Sequence, residues 1–130
     1  MTDLDQAAIR SACADIIAKF AYYVDHREFS SAVALFAKDG VFERPDLKSS
    51  GHAEIARIWE GRPASVVTVH ICAAPCFIEV GTDTAKAVTY CTLYHLEHEG
   101  EGFPKVAGST AITEFHDEFC RTPNGWRIAH

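Results

Sequence analysis

Hydrophobic positions recur at spacings of three and four through the first part of the chain. Ile9, Cys13, Ile16, Ile17, Phe20 and Val24 form that stripe, which predicts a long core-facing helix. Asp3 with Gln6 reads as the capping box that opens it. Ala7, Ala14, Ala18 and Ala21 line one flank of the stripe, and Asp25 continues that flank. Asp25 therefore stands at the border of the buried face. "REFSSAVALFAKDG" predicts a short second helix through Phe29, Val33 and Phe36, ended at Asp39-Gly40. "VFERP" predicts a short strand stopped by Pro45. "GHAEIARIWEG" predicts a third short helix with Ile55, Ile58 and Trp59 inward.

After residue 65 the period changes from helical to alternating. "SVVTVHICAAPCFIEVG" reads as one strand bent or bulged near Pro75. Gly81 to Thr84 make a hairpin turn, and "DTAKAVTYCTLYHLEHEG" is a second long strand. "GFP" falls in a loop, "VAGSTAITEFHDEFCR" is a third long strand, "TPNG" a turn and "WRIAH" the last strand. Helices first and consecutive antiparallel strands after them predict an α+β fold, with the helices packed on one face of the sheet. A sheet curved by such a bend leaves an apolar hollow. No repeat, low-complexity segment or linker divides the chain, so its 130 residues read as a single domain, 1–130.

Composition narrows the partners. Hydrophobic residues are 48% and charged residues 23%, as in ordinary globular domains. A net charge of -6 with no basic run argues against nucleic acid or an anionic membrane surface. No apolar run approaches the roughly 20 residues of a membrane span, and "MTDLDQAAIR" lacks the pattern of a signal peptide. The cysteines are Cys13, Cys72, Cys76, Cys91 and Cys120, an odd number without a CxxC. They read as free thiols in a reducing cytoplasm.

The candidate chemistry is sparse. On periodicity alone, Asp25 reads as a solvated helix end. His70, in the alternation Val66, Thr68, His70, Cys72, reads as a satisfied core residue. His95 and His98 lie three apart on a strand and point to opposite faces, so a shared metal is not expected. Alternation sets Phe115, Asp117 and Phe119 on one face and His116, Glu118 and Cys120 on the other. Arg121 shares the face of Phe119. Trp126 reads as core.

In order and spacing, "YYVD", "LFAKDGVFE", "GHAEI", "VTVH" and the terminal "GWRI" resemble the nuclear transport factor 2-like superfamily across nearly the whole chain. The SnoaL-like branch fits best, the one grouped with scytalone dehydratase, hexachlorocyclohexane dehydrochlorinase and ketosteroid isomerase. The resemblance implies a cone-shaped α+β barrel, its sheet wrapped around the long helix and two short ones. It also implies a catalytic dyad of a helix-borne aspartate, here Asp25, and a strand-borne histidine, here His70. Where the dehydratase pattern has a second histidine, this chain has Cys91. Val24 stands directly before the aspartate, which leaves Tyr23 as the nearby tyrosine. No strand-borne general base like that of ketosteroid isomerase is evident. Tyr23, Cys91 and Arg121 are the substrate-binding residues the resemblance suggests.

If Asp25 and His70 meet, neutral His70 can take a proton from a bound molecule while Asp25 holds its tautomer and stabilises the imidazolium. This chemistry needs neither metal nor cofactor. The implied function is a lyase or isomerase acting on a small, largely apolar molecule, cyclic ones included. The alternative is a non-catalytic ligand-binding or partner module of the same fold. The resemblance further implies a homodimer formed through the outer sheet face.

Overall fold

The structure is a computed structural model that describes residues 1–97, 103, 105–106 and 110–130. Helix α1 spans Asp3–Asp25, α2 spans Phe29–Ala34 and α3 spans His52–Arg57. The strands are β1 Val41–Arg44, β2 Leu47–Ser50, β3 Val67–Cys72, β4 Cys76–Val80, β5 Thr84–Glu97, β6 Lys105–Val106, β7 Ala111–Thr122 and β8 Gly125–Ile128. This is the α+β architecture the pattern predicts: a curled antiparallel sheet forming a half-barrel, with the helices in its concavity.

The stripe on α1 is buried as its spacing requires. Ile9, Cys13, Ile16, Ile17 and Val24 all enter the core, and Ala21 joins them from the flank. The cap lies one residue earlier than the pattern suggested. Thr2 is the N-cap, and it exchanges hydrogen bonds with Asp5, not Asp3 with Gln6. Both tetrads fit the capping rule; the hydroxyl of Thr2 takes the position because its backbone is extended.

β5 is the spine of the sheet. β7 pairs along one edge from Thr84↔Cys120 to Leu93↔Ala111, and β8 follows β7. On its other edge β5 pairs with both β4 and β3. The run read as one bent strand is therefore two strands in line, separated at Ala73, Ala74 and Pro75, with a register shift between Phe77 and Glu79. Proline cannot donate to the ladder, so the chain leaves it and rejoins. β1 and β2 form a separate hairpin with Arg44↔Leu47 as its last pair. β1 stops at Arg44, directly before Pro45, as the sequence predicts, and Pro45 and Asp46 turn the chain back into β2. The loop tip 98–102, including His98, and the start of the predicted third strand at 107–109 lie outside the described residues.

The outer edge of β8 is covered by the chain itself. Ile128 N–H donates to the Leu35 carbonyl, Ala37 N–H to Ile128 and Val41 N–H to Ala129, at 2.8, 2.8 and 3.0 Å. Gly40 is needed for this approach, because a Cβ there would stand 2.9 Å from the Ile128 carbonyl oxygen. Inside the concavity, Phe20 is the hub of an aromatic cluster with Phe36, Phe42, Trp59 and Phe115, at centroid distances of 6.1 to 6.2 Å.

Candidate active site

Asp25 is the last residue of α1, and the way the helix stops decides where it points. Arg27 takes a left-handed backbone conformation, φ 60°, just beyond the C-cap His26. The N–H groups of His26, Arg27 and Glu28 then close on the Tyr22, Val24 and Tyr23 carbonyls at 2.9, 3.2 and 2.8 Å. The Arg27 guanidinium reaches out of this turn. It donates to the Arg62 carbonyl at 2.8 Å, and to Val66 and Pro63 at 3.2 and 3.3 Å. Those residues lead into β3. The helix end and the strand that carries His70 are thus tied together by one side chain.

Asp25 lies against β3 as a result. Its Oδ2 accepts the His70 backbone N–H at 2.7 Å. Its Oδ1 lies 2.6 Å from His70 Nδ1 and accepts the Thr68 hydroxyl at 3.1 Å. A carboxylate accepts only, so Nδ1 carries the proton and the Nε2 lone pair is left to act as a base. Both side chains are nearly but not fully shielded: 13% of the His70 side chain and 9% of the Asp25 side chain remain accessible. The Phe115 ring stands 6.2 Å from the imidazole. The solvated reading of Asp25 is therefore not what the fold adopts. The carboxylate faces inward and is held by three donors.

Cys91 is 1% exposed and faces inward beside the dyad strand. Its Sγ lies 3.4 Å from Cys72 Sγ, opposite it in the register. Burial pushes the Cys72 thiol up to about 12, helped by its bond to Cys91 and by the nearby charges of Asp25 and Asp117. These are poor acids held as thiols. Tyr23 is half-buried, packs against the core, and meets Tyr22 edge-on at 5.9 Å.

Arg121 is a correction. It is exposed and borders a surface depression with Met1, Asp5, Ile9 and Trp126, at the start of α1. Asp5 and Asp25 are 20 helical residues apart, about 30 Å. Arg121 is thus at the opposite end of the helix from the dyad. Alternation places it correctly on the face of Phe119. However, β7 is 12 residues long, roughly 40 Å, and its last residues pass beyond the hollow.

Thr68 and Arg27 were not singled out by sequence reasoning, and Asp117 was placed on a face without a role. Thr68 was visible only as a member of the alternation with His70. Arg27 gave no signal, since its role depends on a left-handed turn. Asp117 is inward with Phe115 and Phe119, as the alternation allowed, and so the sheet does carry an inward aspartate. Burial pushes its carboxyl up to about 7, with neighbouring His116 opposing that rise. It has no hydrogen-bond or ion-pair partner among the described residues.

Fold and site together define a SnoaL-like α+β barrel with an aspartate–histidine pair inside the cone. The chain belongs to the SnoaL-like domain family, whose model matches residues 5–130. No functionally curated protein matches it in sequence. Among solved structures it is similar to a putative scytalone dehydratase from Novosphingobium aromaticivorans. The TM-score is 0.81 at 18% identity, over 99% of this chain and 84% of that one. It is similar to a hexachlorocyclohexane dehydrochlorinase, LinA type 2, with a TM-score of 0.78 at 16% identity, over 98% of this chain and 85% of that one. It is also similar to ActVI-ORFA from Streptomyces coelicolor, with a TM-score of 0.73 at 19% identity, over 92% and 90% of the two chains. At these identities the likeness is one of fold. Among the described residues no helix is long and apolar enough to cross a membrane.

Proposed function

We propose that this protein is a cofactor-independent lyase or isomerase in which His70 abstracts a proton from a small, largely apolar molecule. The observation that carries this reading is the 2.6 Å contact between Asp25 Oδ1 and His70 Nδ1. It leaves Nε2 as the basic nitrogen and places a negative charge where the imidazolium forms. General-base catalysis is worth about 10²–10⁴-fold, and the remainder falls to orientation by the aromatic and aliphatic walls. Dehydration, dehydrohalogenation and isomerisation share this first step, and the names of two structural neighbours, a dehydratase and a dehydrochlorinase, are consistent with it.

The test is deuterium incorporation. A panel of small cyclic ketones and halogenated cyclohexanes is incubated with the protein in D2O and followed by mass spectrometry. Exchange or elimination by the natural sequence, lost in His70→Ala, supports the reading. Identical rates for the two proteins across the panel sink it.

A second reading is favoured by the rings of Phe20, Phe36, Phe42, Trp59 and Phe115, which occupy much of the concavity. A non-catalytic binding or partner module would fill its cone in this way. Binding of panel members with no exchange would select it.

The assembly proposed is a homodimer through the outer sheet face. Ile71, Tyr90 and Ile112 are 58, 62 and 81% exposed. The register Ile71↔Thr92↔Ile112 places them together on that face. An apolar patch on the side away from the helices has no cover among the described residues.

A further inference from the structure

Cys72 and Cys91 stand opposite one another at the place where β3 leaves the sheet. They are a register pair, and their Sγ atoms are 3.4 Å apart, with the Cys72 thiol donating. Antiparallel pairs come in two kinds, and the kind decides how close the two backbones stand. The Ala73 N–H donates to the Tyr90 carbonyl at 2.9 Å, which makes Ala73 and Tyr90 a hydrogen-bonded pair. Cys72 and Cys91, one step back along the ladder, are therefore a non-hydrogen-bonded pair. Two further bonds agree. The Cys91 carbonyl is turned towards β7, where the Thr113 hydroxyl donates to it at 3.2 Å. The His70 N–H, two residues before Cys72, is turned away from β5 and given to Asp25.

In such a pair the Cα atoms are about 4.5 Å apart and the side chains lie close together. A disulfide spans Cα separations of about 4.4–6.8 Å, so the backbone already stands within its range. Only the two Sγ atoms have to close, by side-chain rotation. The other cysteines are placed differently: Cys13 is buried on α1, Cys76 is exposed at the start of β4, and Cys120 lies near the far end of β7, opposite Thr84 and Arg127.

We infer that Cys72 and Cys91 are a modification site, a cross-strand dithiol that a small hydroperoxide converts into a disulfide without moving either strand. Cys72 is the part-exposed member and is followed by exposed Ala73 and Ala74, so the oxidant meets it first. Its sulfur, as the thiolate, attacks one peroxide oxygen. The O–O bond breaks, an alcohol or water leaves, and Cys72 becomes a sulfenic acid. The Cys91 sulfur then attacks Cys72 Sγ, the S–O bond breaks, and water leaves with the Cys91 proton. Two thiols and one hydroperoxide thus give a disulfide, an alcohol and water, and the two electrons lost by the sulfurs are gained by the peroxide. Burial holds both groups as thiols, which makes the first step slow. Proximity makes the second fast, ahead of a further oxidation at Cys72. The bond closes a loop over residues 72–91 and fastens the end of the strand that carries His70. It forms in an enzyme and in a binding module alike, so it stands apart from the dyad's role.

The experiment treats the folded full chain with hydrogen peroxide, both as the natural sequence and as Cys76→Ser, which removes the exposed thiol. Peptide mass spectrometry is expected to find a Cys72–Cys91 cross-link, two hydrogens lighter than the dithiol, in both. It should be absent from Cys72→Ala and from Cys91→Ala, and in Cys91→Ala Cys72 should instead be carried on to the sulfinic acid. The cross-linked protein should melt roughly 5–10 °C higher than the reduced one, and dithiothreitol should reverse the gain. If Cys91→Ala fails to fold, Cys72→Ala decides. Folded natural protein in which Cys72 reaches the sulfinic acid while Cys91 is still a thiol overturns the site. So does a Cys72–Cys76 cross-link in its place, or a pair left unoxidised after Cys76 has been consumed. A Cys72–Cys91 bond that lowers the melting temperature overturns the claim that the strands already hold its geometry.

Discussion

Asp25 holds His70 twice, once by the backbone N–H and once by the ring, through its two different carboxylate oxygens. The double hold fixes both the strand position and the imidazole tautomer. In Asp25→Asn the amide oxygen can keep the backbone N–H, and the NH2 group then faces Nδ1. The ring must turn Nδ1 into an acceptor and move its proton to Nε2. The expected result is a ¹⁵N spectrum of His70 with the opposite tautomer and a loss of turnover of about 10²–10⁴-fold. An unchanged Nδ1-H tautomer in Asp25→Asn would contradict the mechanism.

Arg27 combines a left-handed backbone with three carbonyl partners. Arg27→Ala keeps the unfavourable φ and loses the partners, whereas Arg27→Gly relieves φ. Denaturant unfolding should show Arg27→Ala destabilised by about 1–2 kcal/mol and Arg27→Gly by less. In both, the His70 ring signals should broaden or shift, since segment 62–66 is no longer tied to the helix end.

The thiols should differ sharply in reactivity. Cys76 is exposed, whereas Cys13 and Cys91 are buried. Burial pushes Cys13 up to about 11 and Cys72 to about 12. The thiolate is the reactive form. Iodoacetamide at pH 8 should therefore alkylate Cys76 first, and Cys13, Cys72 and Cys91 only on unfolding, as peptide mass spectrometry would reveal.

Asp117 sets a pH dependence of stability. Its carboxyl is raised from 3.8 to about 7 by burial. Between those values the folded protein holds a proton that the unfolded chain has lost. Stability is thus complete below about pH 4 for this group and declines as pH rises to about 7. A shift of roughly three units sets an upper bound of about 4 kcal/mol. Among its titratable neighbours, His116 on its own strand opposes the rise, and Cys72 on β3 feels the Asp117 charge. Asp117→Asn should flatten the decline in melts taken from pH 4 to 8. A slope that persists in Asp117→Asn would assign it to another group.

The proposed dimer predicts that Ile112→Glu, on the outer face, gives a monomer by sedimentation at micromolar concentration, with far-UV dichroism unchanged. A natural sequence that is itself monomeric there removes the proposal.

How much of this was legible depended on the range of the interaction. The α1 stripe and the long strands were readable because a regular period repeats many times. The Thr2 cap was missed by one residue because two overlapping tetrads satisfy the same rule. β2 was missed because "LKSS" has no apolar alternation; Leu47–Ser50 is a strand through pairing with β1, not through its own pattern. The Asp25–His70 contact spans 45 residues and was visible only through the family resemblance. Asp117 could be placed on a face by alternation. That its face is the interior, and that it finds no partner there, depends on how the helices fill the cone.

The ribbon from Leu35 to Val41 does more than complete the ladder of β8. A bare final strand is a template on which foreign chains add, and here the template is already occupied from within. Gly40 lets the occupant lie close enough, with only 2.9 Å between an added Cβ and the Ile128 carbonyl oxygen. A side chain at that point would lift the ribbon and expose the strand at once. Gly40 therefore guards colloidal behaviour as much as conformational stability: its replacement should favour fibrillar or amorphous self-association from a molecule still largely native.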